Sequence, residues 1–188
     1  MPQLIVPAAD AAQWRARNGL GHGPAVAMAP GAVGPSKRWP ASYYAEVAKQ
    51  LTAKGVDVWV IGGPGEKSLA DEIVSAAGPR ARNLTGTDLR NAILALKAAT
   101  AAVSNDSGLV HVAAAIGTPT IGIFGPTSAW HWAPLNPLAA TIETLTYVDC
   151  RPCHKPVCRM LHHRCMRDIP PARVLAAAEQ ALAEAGAR

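Results

Sequence analysis

The sequence predicts a Rossmann-like α/β domain, a parallel sheet sandwiched between helices in three layers. Apolar runs of four to six residues alternate with helical patterns, the arrangement of βαβ units. Each run stops at a cluster of Gly, Pro, Asn or Asp, where the chain must turn. Hydrophobic residues make up 49% of the 188 and aromatics only 5%, so the core is aliphatic and the strands are covered on both faces. With charged residues at 16%, the chain is neither disordered nor a coiled coil.

The elements follow in order. Ala25-Val-Ala-Met-Ala29 is a buried strand that ends at Pro30-Gly31. A loop then leads to a helix opening at Pro40, since proline is tolerated at the first helical position. Tyr44, Val47, Ala48 and Leu51 share one face of it, and Gly55 ends it. Val56–Ile61 is a second strand, closed by Gly62-Gly-Pro-Gly65, and Glu66–Ala77 a second helix, stopped by Gly78-Pro79. Asp88 caps a helix running through Leu89, Ile93 and Leu96. Ala101–Ser104 is a strand, about 107–116 a helix ended by Gly117, and Pro119–Phe124 another strand. Thr141–Val148 reads as the last strand and Pro171–Ala185 as the closing helix, with a polar, cysteine-bearing loop between them.

Net charge is +5, and residues 150–168 supply most of it: five basic residues (Arg151, Lys155, Arg159, Arg164, Arg167) less Asp168 give +4. A local patch suggests an anionic partner nearby rather than nucleic-acid binding. No run approaches the ~18–20 apolar residues of a membrane span. Met-Pro-Gln-Leu-Ile-Val-Pro lacks the basic and apolar regions of a signal peptide, so the expected location is cytoplasmic.

Two phosphate signatures fail on inspection. In Gly62-Gly-Pro-Gly-Glu-Lys-Ser68, Glu66 separates the glycine from the lysine that a P-loop needs adjacent. Gly19-Leu-Gly-His-Gly23 precedes the first strand, outside the strand–turn–helix setting of a dinucleotide site. A stronger signal is Ser104-Asn-Asp-Ser-Gly-Leu-Val-His111, at a strand end and a helix start. Ser107 and Gly108 leave backbone N–H groups open to a diphosphate, with Asp106 beside it for sugar hydroxyls and His111 one turn further. The same residues also suit a plain helix cap and a core histidine. In the loop Pro30–Pro40, Lys37 is placed to meet a phosphate as a point charge, or else to stand in solvent.

Four stretches together resemble the ADP-heptose-using glycosyltransferases of lipopolysaccharide core synthesis, glycosyltransferase family nine. They are Ala29-Pro-Gly-Ala, Lys37-Arg-Trp-Pro40, Asn105-Asp-Ser-Gly-Leu-Val-His111 and Gly117-Thr-Pro-Thr-Ile-Gly-Ile-Phe-Gly-Pro-Thr127. The tail from Cys150-Arg-Pro-Cys153 to His162-His-Arg-Cys-Met166 resembles the heptosyltransferase II branch. The resemblance implies the C-terminal, donor-binding half of a GT-B fold, with residues 25–188 as that domain and 1–24 as an interdomain-linker remnant. It implies that Lys37 holds the ADP phosphates and Asp106 the heptose hydroxyls. Ser107, Gly108 and His111 would then line the diphosphate and sugar pocket, with Glu66 and Thr87 nearer the nucleoside. The family's catalytic base is an aspartate of the N-terminal domain, with no counterpart in residues 1–188, so no catalytic residue is assigned.

The implied reaction is inverting transfer of heptose from ADP-heptose to an inner-core hydroxyl of lipopolysaccharide. The alternative is a nucleotide-sugar binding module without catalysis. Lys37 and the helix start at Ser107-Gly108 can stabilise the departing ADP, so no metal or cofactor is expected. The basic stretch would face phosphorylated lipopolysaccharide or the inner face of the inner membrane as a peripheral contact, or simply solvent. The cysteines read Cys150-x2-Cys153-x4-Cys158-x6-Cys165, with only one of the two short pairs usual in a zinc site. Reduced, loop-packing thiols are the expectation.

Overall fold

Six parallel strands in the order β3-β2-β1-β4-β5-β6 build the sheet of the computed structural model, which describes residues 2–187. The chain runs α1 (Ala8–Arg17), β1 (Ala25–Ala29), α2 (Ala41–Ala53), β2 (Asp57–Val60), α3 (Lys67–Ala77) and β3 (Ala81–Asn83). It continues through α4 (Leu89–Ala98), β4 (Ala101–Asn105), α5 (Gly108–Ile116), β5 (Thr120–Phe124) and α6 (Ala129–Trp132). β6 (Ala139–Glu143), α7 (Arg164–Arg167) and α8 (Pro171–Gly186) complete it. Strand order reverses between β1 and β4. In an open parallel sheet, that switch point is where the loops part and leave a crevice.

Strands β1, β2 and β4 send alternate residues into two separate cores. Val26 and Met28 of β1, Val58 and Val60 of β2, and Val103 of β4 pack under α2, α3 and α8. Ala25, Ala27, Trp59 and Ala102 face the other way, with Trp14 of α1, Leu94 and Leu96 of α4, and Ala113 of α5. The three-layer sheet expected from sequence is therefore the one observed.

Three local differences have physical causes. The apolar pattern predicts the last strand at Thr141–Val148, but it lies at Ala139–Glu143. Its register is set by β5, from Thr120↔Ala139 to Phe124↔Glu143, and ends where β5 ends. Leu145 and Tyr147, whose apolar character suggests strand, are exposed in the loop beyond. β3 is a three-residue edge strand, Ala-Arg-Asn, too short and polar to stand out in the sequence. Within residues 1–24, expected only as a linker remnant, α1 forms and packs on α4. Trp14 donates from Nε1 to Asn91 Oδ1 at 2.9 Å and meets the Trp59 ring edge-on at 6.0 Å. Only Ala11 and Trp14 of α1 are buried, so it carries too thin an apolar stripe to announce itself.

Candidate functional site

The crevice at the switch point is made by the loops after β1 and β4, whose ends are paired as Ala29↔Ser104. Asn105 ties these loops together. Its Oδ1 accepts from Trp39 N at 3.1 Å and Tyr44 Oη at 3.0 Å, and its Nδ2 donates to Pro30 O at 2.6 Å. Burial pushes the Tyr44 phenol far above its ordinary range, so it stays a neutral donor. Trp39 is locked in turn by its Nε1 bond to Ile169 O at 3.0 Å. The loop bearing Lys37 is thus anchored at its C-terminal side to the end of β4, one residue before Asp106.

Lys37 and Asp106 meet directly. Lys37 Nζ donates to Asp106 Oδ2 at 2.7 Å, and Thr127 Oγ1 donates to the same oxygen at 2.7 Å. The Asp106 side chain is 6% exposed and that of Lys37 33%, so a buried carboxylate holds a cation at the surface of the crevice. Sequence reasoning gives the two residues separate parts of a ligand; the geometry couples them. Asp106 does not act as a helix cap, because its partners are Lys37 and Thr127 and no side chain caps α5. The first turn of α5 therefore presents its N–H groups to the crevice.

Lys37, Asp106, Ser107, Gly108 and His111 line one cavity of about 480 Å³. His111 is exposed, not a core histidine. A second cavity, of about 430 Å³, adjoins the first through the shared Val33, Ser107 and Gly108, and Glu66 and Arg38 line it. Glu66 lies folded against a glycine cradle. A Cβ on Gly31 would come within 2.7 Å of Glu66 Cγ, and one on Gly62 within 3.1 Å of Oε2. Thr87 stands apart: it is exposed, donates to Leu84 O at 3.2 Å, and lines neither cavity. Leu89, two residues on, reaches the second cavity instead.

Sequence reasoning missed the far wall of the first cavity, formed by Trp132, His154, Lys155 and Pro156. The last three belong to the cysteine-bearing loop, which folds back onto the loop of Lys37. Ser36 N donates to Pro156 O at 3.0 Å, Ser36 Oγ donates to Lys155 O, and His163 Nε2 bonds Ser36 O at 2.6 Å. Cys153 N and His154 N both donate to Pro126 O at 3.0 Å. Arg151, counted as part of a basic patch, turns inward to Glu143 and to Gly125 O. Thr127 is visible in the sequence only as the end of a motif, with nothing to signal its bond to Asp106.

The sequence pattern of glycosyltransferase family 9 (heptosyltransferase) matches residues 3–163. Lipopolysaccharide heptosyltransferase 2 of Salmonella typhimurium is 38% identical over 170 residues, covering 87% of this chain and 48% of the relative. Its counterpart from Escherichia coli is 39% identical over 159 residues, 81% of this chain and 45% of the relative. The solved structure of E. coli ADP-heptose lps heptosyltransferase II superposes with a TM-score of 0.84 at 34% identity, covering 97% of this chain and 54% of that one. The chain spans about half the length of the curated relatives it matches. Among the described residues, no helix is long and apolar enough to cross a membrane.

Proposed function

The chain belongs to glycosyltransferase family 9, and on that premise we propose that it is the donor-binding half of a heptosyltransferase of lipopolysaccharide core synthesis. Residues 25–188 form the donor domain in this reading, with 1–24 the linker segment that docks through α1. One observation carries it: the Lys37 ammonium and the uncapped start of α5 converge on a single cavity at the switch point of the sheet. Cation and helix N-terminus together suit a diphosphate. Asp106 orients the lysine and, beside Ser107 and His111, accepts from heptose hydroxyls. The cavity of Glu66 and Arg38 takes the nucleoside.

The chemistry is an inverting displacement at the anomeric carbon of the heptose. A base deprotonates the acceptor hydroxyl while the bond to the diphosphate breaks. Lys37 and the α5 N–H groups oppose the charge that builds on departing ADP, a task that needs no metal. The base is placed by family resemblance in the other half of the GT-B fold, so residues 1–188 alone bind without transferring. Arg167, exposed and free of ion pairs among the described residues, faces the phosphorylated acceptor or an anionic membrane surface.

Calorimetry tests the reading. ADP and ADP-heptose both bind, more weakly at high salt because part of the contact is ionic. No binding of either ligand overturns it. Multiple turnovers by residues 1–188 on a heptose acceptor overturn the placement of the base. If adding a relative's N-terminal half restores no transfer while ADP-heptose still binds, the chain is a nucleotide-sugar binding module.

A further inference from the structure

Residues 144–163 carry no helix or strand. Stretches longer than about 12–15 residues without secondary structure are uncommon inside a compact domain. Three non-glycine residues of this one, His154, Leu161 and His163, adopt left-handed backbone with φ of 51°, 57° and 51°. Each such residue is held against an unfavourable conformational preference. Yet the stretch builds a wall of the donor cavity and must keep its shape.

Its four cysteines lie together. Cys150, Cys153, Cys158 and Cys165 all line one cavity of about 190 Å³, although they are spread over the chain from the end of the loop's first third to α7. All four are free thiols. Cys165 is fixed to the core: it is buried on α7, beside Met166, which sits under Gly125. Cys153, Cys158 and Cys150 all lie near enough to act on its thiol. Lys155 and Arg159 also line the cavity, and Arg151 lies close enough to favour the Cys165 thiolate.

We propose that these four cysteines form a structural site for one thiophilic divalent metal ion, zinc or ferrous iron. Four sulfurs around a volume of this size supply the full tetrahedral set of a closed site, leaving no open position for catalysis. Four thiolates and one divalent ion carry a net charge of −2, which Lys155 and Arg159 on the cavity wall offset. Among the described residues, no three potential ligands already stand converged on a point, so the thiols draw inward as the ion binds. Each thiol yields its proton on binding, so affinity falls in acid. Ser36 and Lys155 line the same cavity, and the role of the site is to hold His154, Lys155 and Pro156 against Ser36.

The test uses the full chain, purified under reducing conditions without a metal-affinity tag. Elemental analysis gives close to one zinc or iron per chain; a colourless zinc protein and an iron protein with visible thiolate-to-iron bands both support the site and identify the ion. Cobalt added to metal-free protein gives intense tetrahedral thiolate bands that saturate at one equivalent. Cys153→Ser and Cys158→Ser, both on the irregular stretch rather than in the core, each weaken cobalt binding at least tenfold, while Lys37→Ala leaves it unchanged. Cobalt spectra without sulfur bands, or bound metal that survives both serine variants, overturns the proposal. So does finding the cysteines paired as disulfides in freshly reduced and re-isolated protein. These readouts involve no nucleotide, so failure of the donor-binding reading leaves them standing, and the reverse holds too.

Discussion

The two walls of the cleft are held by different physics. The inner wall, Lys37 with Asp106, Ser107 and Gly108, hangs from the ends of β1 and β4 and is latched by the buried Asn105. Its polar atoms lie within a few residues of hydrogen-bonded strands. The outer wall, His154 to Pro156, is about fifty residues further along the chain than Asp106 and belongs to no strand. It rests on hydrogen bonds to Ser36 and Pro126 and, on our proposal, on metal–thiolate bonds. One wall inherits its position from the sheet, while the other has to be stapled into place.

The largest expected effect comes from breaking the latch. Asn105→Ala strands Trp39 N–H, the Tyr44 hydroxyl and Pro30 O in a buried setting. At about 1–3 kcal/mol for each buried group left unsatisfied, the fold loses roughly 3–5 kcal/mol. Denaturant unfolding measures this; a loss below ~1 kcal/mol shows that the inner wall is not held by Asn105.

Next come the residues of the inner wall itself. Lys37→Ala weakens ADP by ~1.5–3 kcal/mol, the range of a charged hydrogen bond, and also lowers the melting temperature, because the buried Asp106 carboxylate loses its cation. Asp106→Asn releases the lysine from its orienting charge, so ADP and ADP-heptose both weaken. Calorimetry that finds ADP untouched by Asp106→Asn would restore separate roles for the two residues, despite their 2.7 Å contact.

A smaller effect isolates the outer wall. A Cβ on Gly34 would lie 3.3 Å from Pro156 Cα and 3.4 Å from its carbonyl oxygen, both backbone atoms that cannot turn aside. Gly34→Val therefore pushes the outer wall away without touching Lys37 or Asp106. ADP binding weakens several-fold and loses part of its salt dependence, because Lys155 leaves the cavity. An unchanged salt dependence places Lys155 outside the binding interaction.

The smallest effect is a control lying off both walls. Asp88 caps α4, accepting from Asn91 N at 2.8 Å, and this bond with that from the Asn91 side chain holds its carboxyl below the ordinary range. A depressed carboxyl contributes stability above its unfolded-state pKa and loses it as pH falls through the folded value. Asp88→Ala should flatten the acid side of the stability curve and leave ADP affinity alone. A loss of affinity would mean that α4 helps to shape the cleft.

The same division explains what is legible in the sequence. Strand-end motifs declare themselves locally, so the sheet and the start of α5 can be read from the order of amino acids. Residues 37, 106, 107, 108 and 111 stand out only as candidates, to which the family resemblance adds roles. Their pairing cannot be read there, because a bond between residues 37 and 106 is a product of strand order. Thr127 and Lys155 are hidden for the same reason, since each matters only through a partner distant in sequence. α1 and β3 escape notice on local grounds, as two buried residues and a three-residue edge leave almost no periodic trace.

The pairing of Ala29 with Ser104 also acts as a ruler, with consequences for how this protein can diverge. Losing one residue from β1 shifts everything after it by about 3.3 Å along the strand and turns inward side chains outward. That step is longer than the contact between Lys37 and Asp106, so the charge pair could not survive it. Insertions and deletions should therefore be excluded from β1 and β4 in functional descendants. The exposed turns that connect β6 to the cysteines can gain or lose residues freely, provided that the four thiols still reach one another.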